Sequence, residues 1–382
     1  MKHSTQCVNF EPNDRFQAMS PPIYQTATFQ QTSADEFGEF DYSRSGNPTR
    51  SVLEEKLAQL ENAKYASAFS SGMAAINSLL SLLEAGDEII AGDELYGGTI
   101  RLLAKAAPRL GIDVRYVDTA DSKALADAVS PKTKLILIET PSNPTLRITD
   151  LKAAAAIAKE NNIMLAVDNS MLSPTLQNPL DLGADIVIHS ATKYLCGHSD
   201  VTAGAVITND ETVYRKISFT QNAEGSALAP FDSWLLFRGL KTLSLRVEKQ
   251  NSNAEKIAAF LAAHPLVKRI FYPTLANHEG SDIHKSQSRG GGGVISFTTG
   301  DERLSKQIAE SLRLFSIAVS FGSVNSTVSL PCRMSHLSIP DALKEKLAPP
   351  KDLVRISIGI EDADDLIEDL EQALSCKIAA AA

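Results

Sequence analysis

Ala184-Asp185-Ile186-Val187-Ile188-His189-Ser190-Ala191-Thr192-Lys193 is a short apolar run that ends in a polar turn and a lysine, and another run, Ile163 to Val167, ends at Asp168. Apolar runs of this length between turn signals read as fully buried strands. A lysine at such a strand end, where it is desolvated enough to be neutral, can condense with an aldehyde. A carboxylate at the neighbouring strand end can keep a pyridine nitrogen protonated, so the pair points to pyridoxal phosphate, whose ring then acts as an electron sink for a carbanion. Ser190 and Thr192 flank Lys193 where their hydroxyls reach a phosphate. A strand-end lysine alone is ordinarily a solvated side chain, so the weight falls on the rest of the chain.

Outward from this segment the pattern alternates helix and strand between Asn47 and about residue 210. Leu53, Leu57 and Leu60 form a helical stripe, and Glu88 to Ala91, Val114 to Val117, Leu135 to Ile138 and Ala205 to Ile207 are further runs of strand length. Such alternation predicts an α/β fold with a mostly parallel central sheet covered by helices on both faces, and ligands then bind beyond the carboxyl ends of the strands. Residues 1–46, with Pro12, Pro21-Pro22 and a turn at Ser45-Gly46-Asn47-Pro48, read as an extended arm. Residues 47–230 form the large domain. Residues 231–382, with helical stretches from Trp234 to Val247 and Asn251 to Ala263 and strands at Val294 to Thr298 and Val354 to Ile358, form a smaller α+β domain. Ala379 to Ala382 read as a fraying end or tail.

The 382 residues carry a formal net charge of -9 without a Lys/Arg cluster, which leaves no electrostatic footprint for nucleic acid or an anionic membrane. The start of the chain lacks the apolar stretch of a signal peptide, no window has the roughly 18 apolar residues of a membrane span, and small-molecule chemistry is the class that remains. Cys7, Cys196, Cys332 and Cys376 are scattered without a C-x-x-C pair, which fits free thiols in a reducing compartment. Cys196-Gly197-His198 reads as a buried thiol beside a loop histidine, because two ligands do not make a metal site.

Other segments offer candidate site residues. Ser70-Ser71-Gly72-Met73 precedes a helical stretch from Ala74 to Leu83; it reads either as a helix N-cap by Ser71 or as an anion cradle of free amides. Tyr96, after the Glu88 strand, can lay its ring on a planar cofactor, or simply pack under its glycine-rich loop. Pro141-Ser142-Asn143-Pro144 caps the strand Lys134 to Glu139 with a rigid turn that aims Asn143 at the same edge. Val354-Arg355-Ile356-Ser357-Ile358-Gly359 alternates strictly, so Arg355 stands on a rigid strand, ready to clamp a carboxylate or to pair with the acidic residues at 361 to 365. Gly290 to Gly293 lacks phosphate-loop spacing and reads as a flexible or bulged approach to a strand.

Taken together, Tyr42-Ser43-Arg44-Ser45-Gly46-Asn47-Pro48-Thr49-Arg50, Ser71-Gly72-Met73, Tyr96-Gly97-Gly98, Val167-Asp168-Asn169-Ser170 and Ser190-Ala191-Thr192-Lys193 resemble the Cys/Met-metabolism family of pyridoxal-phosphate enzymes, of fold type I, nearly from end to end. Gln221 to Ser226, Ala229 to Asp232 and Phe315 to Val324 are most similar to the plant-type cystathionine β-lyases within it. The resemblance implies pyridoxal 5'-phosphate as cofactor, with Lys193 bound to its aldehyde, Asp168 on the ring nitrogen, Tyr96 on the ring face and in catalysis, and Gly72, Met73, Ser190 and Thr192 on the phosphate. It implies that Tyr42 and Arg44 reach the phosphate of a neighbouring subunit, which makes a homodimer the smallest active unit and a tetramer the usual assembly. Asn143, Ser320 and Arg355 would hold the substrate carboxylate. It implies β-elimination of L-cystathionine to L-homocysteine, pyruvate and ammonia in methionine biosynthesis, in the cytoplasm or, for a mature chain, in a plastid. The alternatives are γ-elimination or γ-replacement on the same scaffold and, more remotely, a non-catalytic binding protein. The chain departs from some relatives at Phe321, where certain cystathionine β-lyases have Trp, and at Val319, where many γ-acting members have Glu.

Overall fold

A computed structural model describes residues 1–12 and 14–375. Seven strands, β1 (Tyr65–Phe69), β2 (Glu88–Gly92), β3 (Asp113–Val117), β4 (Thr133–Glu139), β5 (Met164–Asp168), β6 (Ile186–His189) and β7 (Gly204–Thr208), form one sheet in the order β1-β7-β6-β5-β4-β2-β3. Only β7 runs against the others, pairing antiparallel with both β6 and β1. After β3 the chain returns to the far side of β2 to lay down β4, and a crevice opens at the carboxyl ends where the order reverses.

The predicted strands all form, with bounds that match the apolar runs to within a residue or two. β1, Tyr-Ala-Ser-Ala-Phe, escapes sequence reading because its small residues carry no strand signature, yet it is buried between β7 and helix α2 (Pro48–Leu60). The turn before α2 becomes its cap, with Asn47 Oδ1 accepting from the N–H groups of Thr49 at 3.0 Å and Arg50 at 3.4 Å and Pro48 in the first helical turn. The sheet is covered on both faces. Ala166, Ile186 and Ile188 pack with Phe69, Ala75 and Ile76 on one side, while Leu165 and Val167 face Leu151, Ala154 and Ala158, and Val187 faces Leu53 and Leu57, on the other. Each buried Val, Leu or Ile side chain among them contributes about 1.5–3 kcal/mol.

A second sheet, in the order β10-β11-β12-β9-β8, is built from β8 (Arg269–Phe271), β9 (Val294–Thr298), β10 (Ser316–Ile317), β11 (Thr327–Ser329) and β12 (Leu353–Ser357) and is antiparallel except for β10 with β11. Helices Pro230–Leu240 and Leu243–Ala263 precede it, broken at Lys241-Thr242. The predicted arm is not wholly extended: α1 (His3–Val8) is a short helix that buries Cys7, and Lys56 Nζ closes its end by donating to the carbonyls of Gln6 and Asn9 at 3.0 and 2.7 Å. A helix with one buried side chain leaves no periodic trace. The Gly290–Gly293 run is tightly packed, with Gly291 against the Tyr272 ring and Gly293 N–H donating to the Tyr194 hydroxyl at 3.1 Å. Ala379 to Ala382 lie outside the described residues.

Candidate active site

A cavity of about 740 Å³ opens at the carboxyl ends of β4, β5 and β6. Gly72, Met73, Tyr96, Asn143, Asp168, Ser190, Thr192, Lys193, Ser320 and Arg355 all line it. Tyr42 and Arg44 do not. They are exposed on the arm, where Arg44 Nη1 donates to the Asn222 carbonyl at 2.7 Å and its guanidinium lies 5.5 Å from the Tyr42 ring centroid.

Asp168 ends β5 and Lys193 lies in the turn after β6, and Ser170 ties the two strand ends together. Its N–H donates to Asp168 Oδ1 at 2.9 Å, and its hydroxyl accepts from Ser190 N–H at 2.6 Å. Burial raises the pKa of the Asp168 carboxyl against the opposing pull of Ser170, His189 and Lys193. Burial also lowers the Lys193 amine to about 8, assisted by the Arg355 charge and opposed by Asp168. Lys193 Nζ donates to Ser320 Oγ at 2.7 Å. Ser320 has φ 86°, a left-handed backbone costing a non-glycine residue about 1–3 kcal/mol, and it is fixed from a second direction by Arg355.

Arg355 is buried on β12 and pairs with none of the acidic residues at 361 to 365, of which Glu361 accepts from Ser326 instead. Its Nη1 donates to Asn143 Oδ1 at 2.7 Å and its Nη2 to the Ser320 carbonyl at 2.9 Å, leaving donors for an incoming carboxylate. Burial lowers its pKa to about 10, still charged at neutral pH. The Phe321 ring lies beside both cations, its centroid 5.2 Å from Lys193 Nζ and 5.6 Å from Arg355 Cζ.

Ser71 does cap α3 (Gly72–Ser78), its Oγ accepting from Ala74 N–H at 3.1 Å, but capping does not account for Gly72. A Cβ on Gly72 would meet Ser190 at 2.9 Å, so this glycine lets the helix start and the Ser190 turn close into one cradle, lined by N–H groups that have no partner inside the helix. α4 (Gly97–Lys105) begins beneath Tyr96, and a Cβ on Gly98 would come within 2.4 Å of the Tyr96 ring.

The cavity also holds groups that the sequence reading did not single out. Glu139 ends β4 in register with Asp168 and accepts the Tyr96 N–H at 2.9 Å; burial, reinforced by the Asp168 charge, raises its pKa well above the usual range. Its signal was visible, a carboxylate at the end of an apolar run. Arg101 on α4 and Ser335 and Ser338 in a later loop had none, because they reach the cavity only through the tertiary fold. Cys196 is buried with its Sγ 3.2 Å from Asp200 Oδ1, and no group of three or more metal-binding side chains occurs among the described residues.

A buried carboxylate and a desolvated lysine at adjacent strand ends, a glycine cradle and a cavity of about 740 Å³ lined by the Tyr96 ring fit pyridoxal phosphate. The sequence model described as Cys/Met metabolism PLP-dependent enzyme matches residues 4–375. The chain belongs to this family. It is 53% identical over 373 residues to a chloroplastic cystathionine beta-lyase of Mimosa pudica, spanning 97% of this chain and 82% of that one. It is 52% identical over 371 residues to the chloroplastic cystathionine beta-lyase of Arabidopsis thaliana, spanning 97% and 80%. Among solved structures, a cystathionine gamma-lyase of Lactobacillus plantarum complexed with L-serine superposes with a TM-score of 0.95 at 42% identity, covering 98% of this chain and 99% of that one. The family carries pyridoxal phosphate on this α/β fold, and no helix among the described residues is long and apolar enough to cross a membrane.

Proposed function

We propose that this chain is a carbon–sulfur lyase that β-eliminates L-cystathionine to L-homocysteine, pyruvate and ammonia. The observation that carries the reading is one cavity in which a desolvated lysine and a buried carboxylate at adjacent strand ends face an arginine clamp, in a chain about half identical to proteins named cystathionine beta-lyase.

Pyridoxal phosphate, when bound, supplies a conjugated ring that delocalises negative charge from the substrate α-carbon. The residues provide the rest. Arg355, held by Asn143 and Ser320, binds the α-carboxylate through charge-assisted bonds worth about 1.5–3 kcal/mol each and sets the orientation of the α-carbon. Lys193 Nζ, neutral in a large fraction near pH 8, takes the α-proton and can return it to the departing sulfur, directly or through the Tyr96 hydroxyl. A thiol of pKa about 8.5 needs only modest assistance in leaving. Asp168 balances positive charge on the ring nitrogen, and the Gly72–Ser190 cradle, with Thr192 and Met73, takes the phosphate.

γ-Elimination is the second reading, because the γ-lyase of Lactobacillus plantarum has the same backbone. Val319 lines the cavity and offers no base for the second proton which that route must remove from the β-carbon. Quantifying both keto acids from cystathionine separates the two: pyruvate with homocysteine supports the β-reading, and 2-oxobutyrate with cysteine overturns it.

The same reading divides the chain into an arm (1–46), a cofactor domain (47–230) and a C-terminal domain (231–382). Phe16, Met19 and Phe37 on the arm are exposed apolar side chains in want of a partner surface, which supports a homodimer, or paired dimers, in which Tyr42 and Arg44 serve the neighbouring site. Sedimentation of the loaded protein tests the assembly. Cys7, Cys196 and Cys332 are free thiols, in keeping with a cytoplasmic location, which fractionation of the source cells would check.

A further inference from the structure

Behind the cavity, on the face of the sheet that packs on α2, lies a buried polar cluster that the reaction does not use. Glu61, just past the end of α2, and His189, the last residue of β6, are 0% and 1% exposed. His189 Nε2 donates to Glu61 Oε1 at 2.6 Å, and Asn169 Nδ2, the side chain directly after Asp168, donates to the same oxygen at 2.9 Å. Asn178 Nδ2 donates to Glu61 Oε2 at 3.2 Å, and Arg289 Nη2 reaches Asn178 Oδ1 at 2.8 Å. One carboxylate therefore grips the ends of two neighbouring strands. One of these presents Asp168; the other leads, through the Ser190 turn, to Lys193.

Helix packing alone does not call for this arrangement. A buried carboxylate held by hydrogen bonds recovers about as much as it loses in desolvation, so α2 would seat as well on apolar residues in place of Glu61 and His189. What the pair supplies is register between two backbone ends, at the place where a small displacement changes the fit to a ligand. Asn169 N–H, bonded to the Ile188 carbonyl at 2.9 Å, continues the strand pairing through the same point.

We propose that Glu61 and His189 are positioning residues which, from the far face of the sheet, set the spacing between Asp168 and the Lys193 turn and so fix how fully the cofactor ring nitrogen is charged. The inference rests on the cofactor assignment above, but not on the identity of the substrate. The titratable groups around Asp168 are Lys193 in the cavity, Glu139 on β4 and His189 behind; those around the pair are Arg289 and, through Arg289, Asp181.

The test uses the pyridoxal-phosphate-loaded protein and the pH at which the absorption of its lysine-bound cofactor titrates. A ring nitrogen paired less closely with Asp168 carries less positive charge, withdraws less electron density, and leaves the linked nitrogen more basic. Glu61→Gln, which replaces an acceptor facing Asn178 with a donor, is expected to raise that titration by about one pH unit and to weaken cofactor retention about tenfold, with Glu61→Asp restoring most of both. Should Glu61→Gln fail to fold, His189→Gln, which keeps an N–H toward Glu61, is expected to shift the titration in the same direction by less. Wild-type titration and retention in the folded variants, whatever happens to their melting temperature, would overturn the proposal. Because no substrate enters the measurement, a wrong assignment of the lyase reaction would leave its outcome intact.

Discussion

The two sheets contribute to the same cavity in different ways. The large, mostly parallel sheet presents its residues at or beyond strand ends, in positions that follow from the strand order: Asp168 at the end of β5, Lys193 after β6, Tyr96 after β2. The smaller, antiparallel sheet contributes Arg355 from within a strand, where pleat and register set its direction. Strand ends are where sequence can vary without unravelling the ladder, so they house the cofactor chemistry. A mid-strand arginine is a fixed clamp suited to a group common to every substrate. Cofactor functions and substrate functions are therefore separated by region.

Substitutions can break that separation. Lys193→Ala is expected to cost turnover on the order of a thousandfold or more, since it removes both the covalent anchor and the base, while the phosphate cradle still retains some cofactor. Steady-state rates and absorption spectra check both halves. Arg355→Ala should lower kcat/KM roughly 10- to 100-fold, chiefly through KM, with the cofactor spectrum unchanged. A spectral change as large as that in the Lys193 variant would collapse the distinction. Gly72→Ala, whose added methyl meets Ser190 at 2.9 Å, is expected to weaken cofactor binding about tenfold, measured by equilibrium dialysis, while KM for substrate at saturating cofactor stays close to wild type. The smallest effect concerns pH. Because Lys193 in the cofactor-free protein titrates near 8 and only its neutral form attacks an aldehyde, the rate of cofactor uptake should climb as pH rises towards 8 and level off above it. Stopped-flow absorbance would follow it, and a rate still climbing at pH 10 would place the amine in water.

How much of this was legible in the sequence differs between the same two regions. The parallel strands announced themselves as apolar runs, and a lysine and an aspartate at the ends of such runs stand out because nothing in a strand explains them. β1 did not, since alanine and serine fill its interior positions. In the smaller sheet the alternation around Arg355 placed it on a strand but left its partner open, because Asn143 lies in a remote turn and only the fold brings it to 2.7 Å. Arg101 and Ser335 have the same difficulty. Glu61 and His189 were hidden for another reason: each looks like an ordinary helix-end carboxylate or strand-end histidine until both are seen to be buried together. Tyr42 and Arg44 stand away from the cavity of their own chain, so a single chain does not reveal their use.

The central claim is that one amine, Lys193, holds the cofactor aldehyde. Borohydride reduction of the loaded protein, followed by peptide mass analysis, tests it directly. The account predicts a single pyridoxyl addition on the peptide containing Lys193. An addition on another lysine, or none in a protein that still turns over substrate, would contradict it.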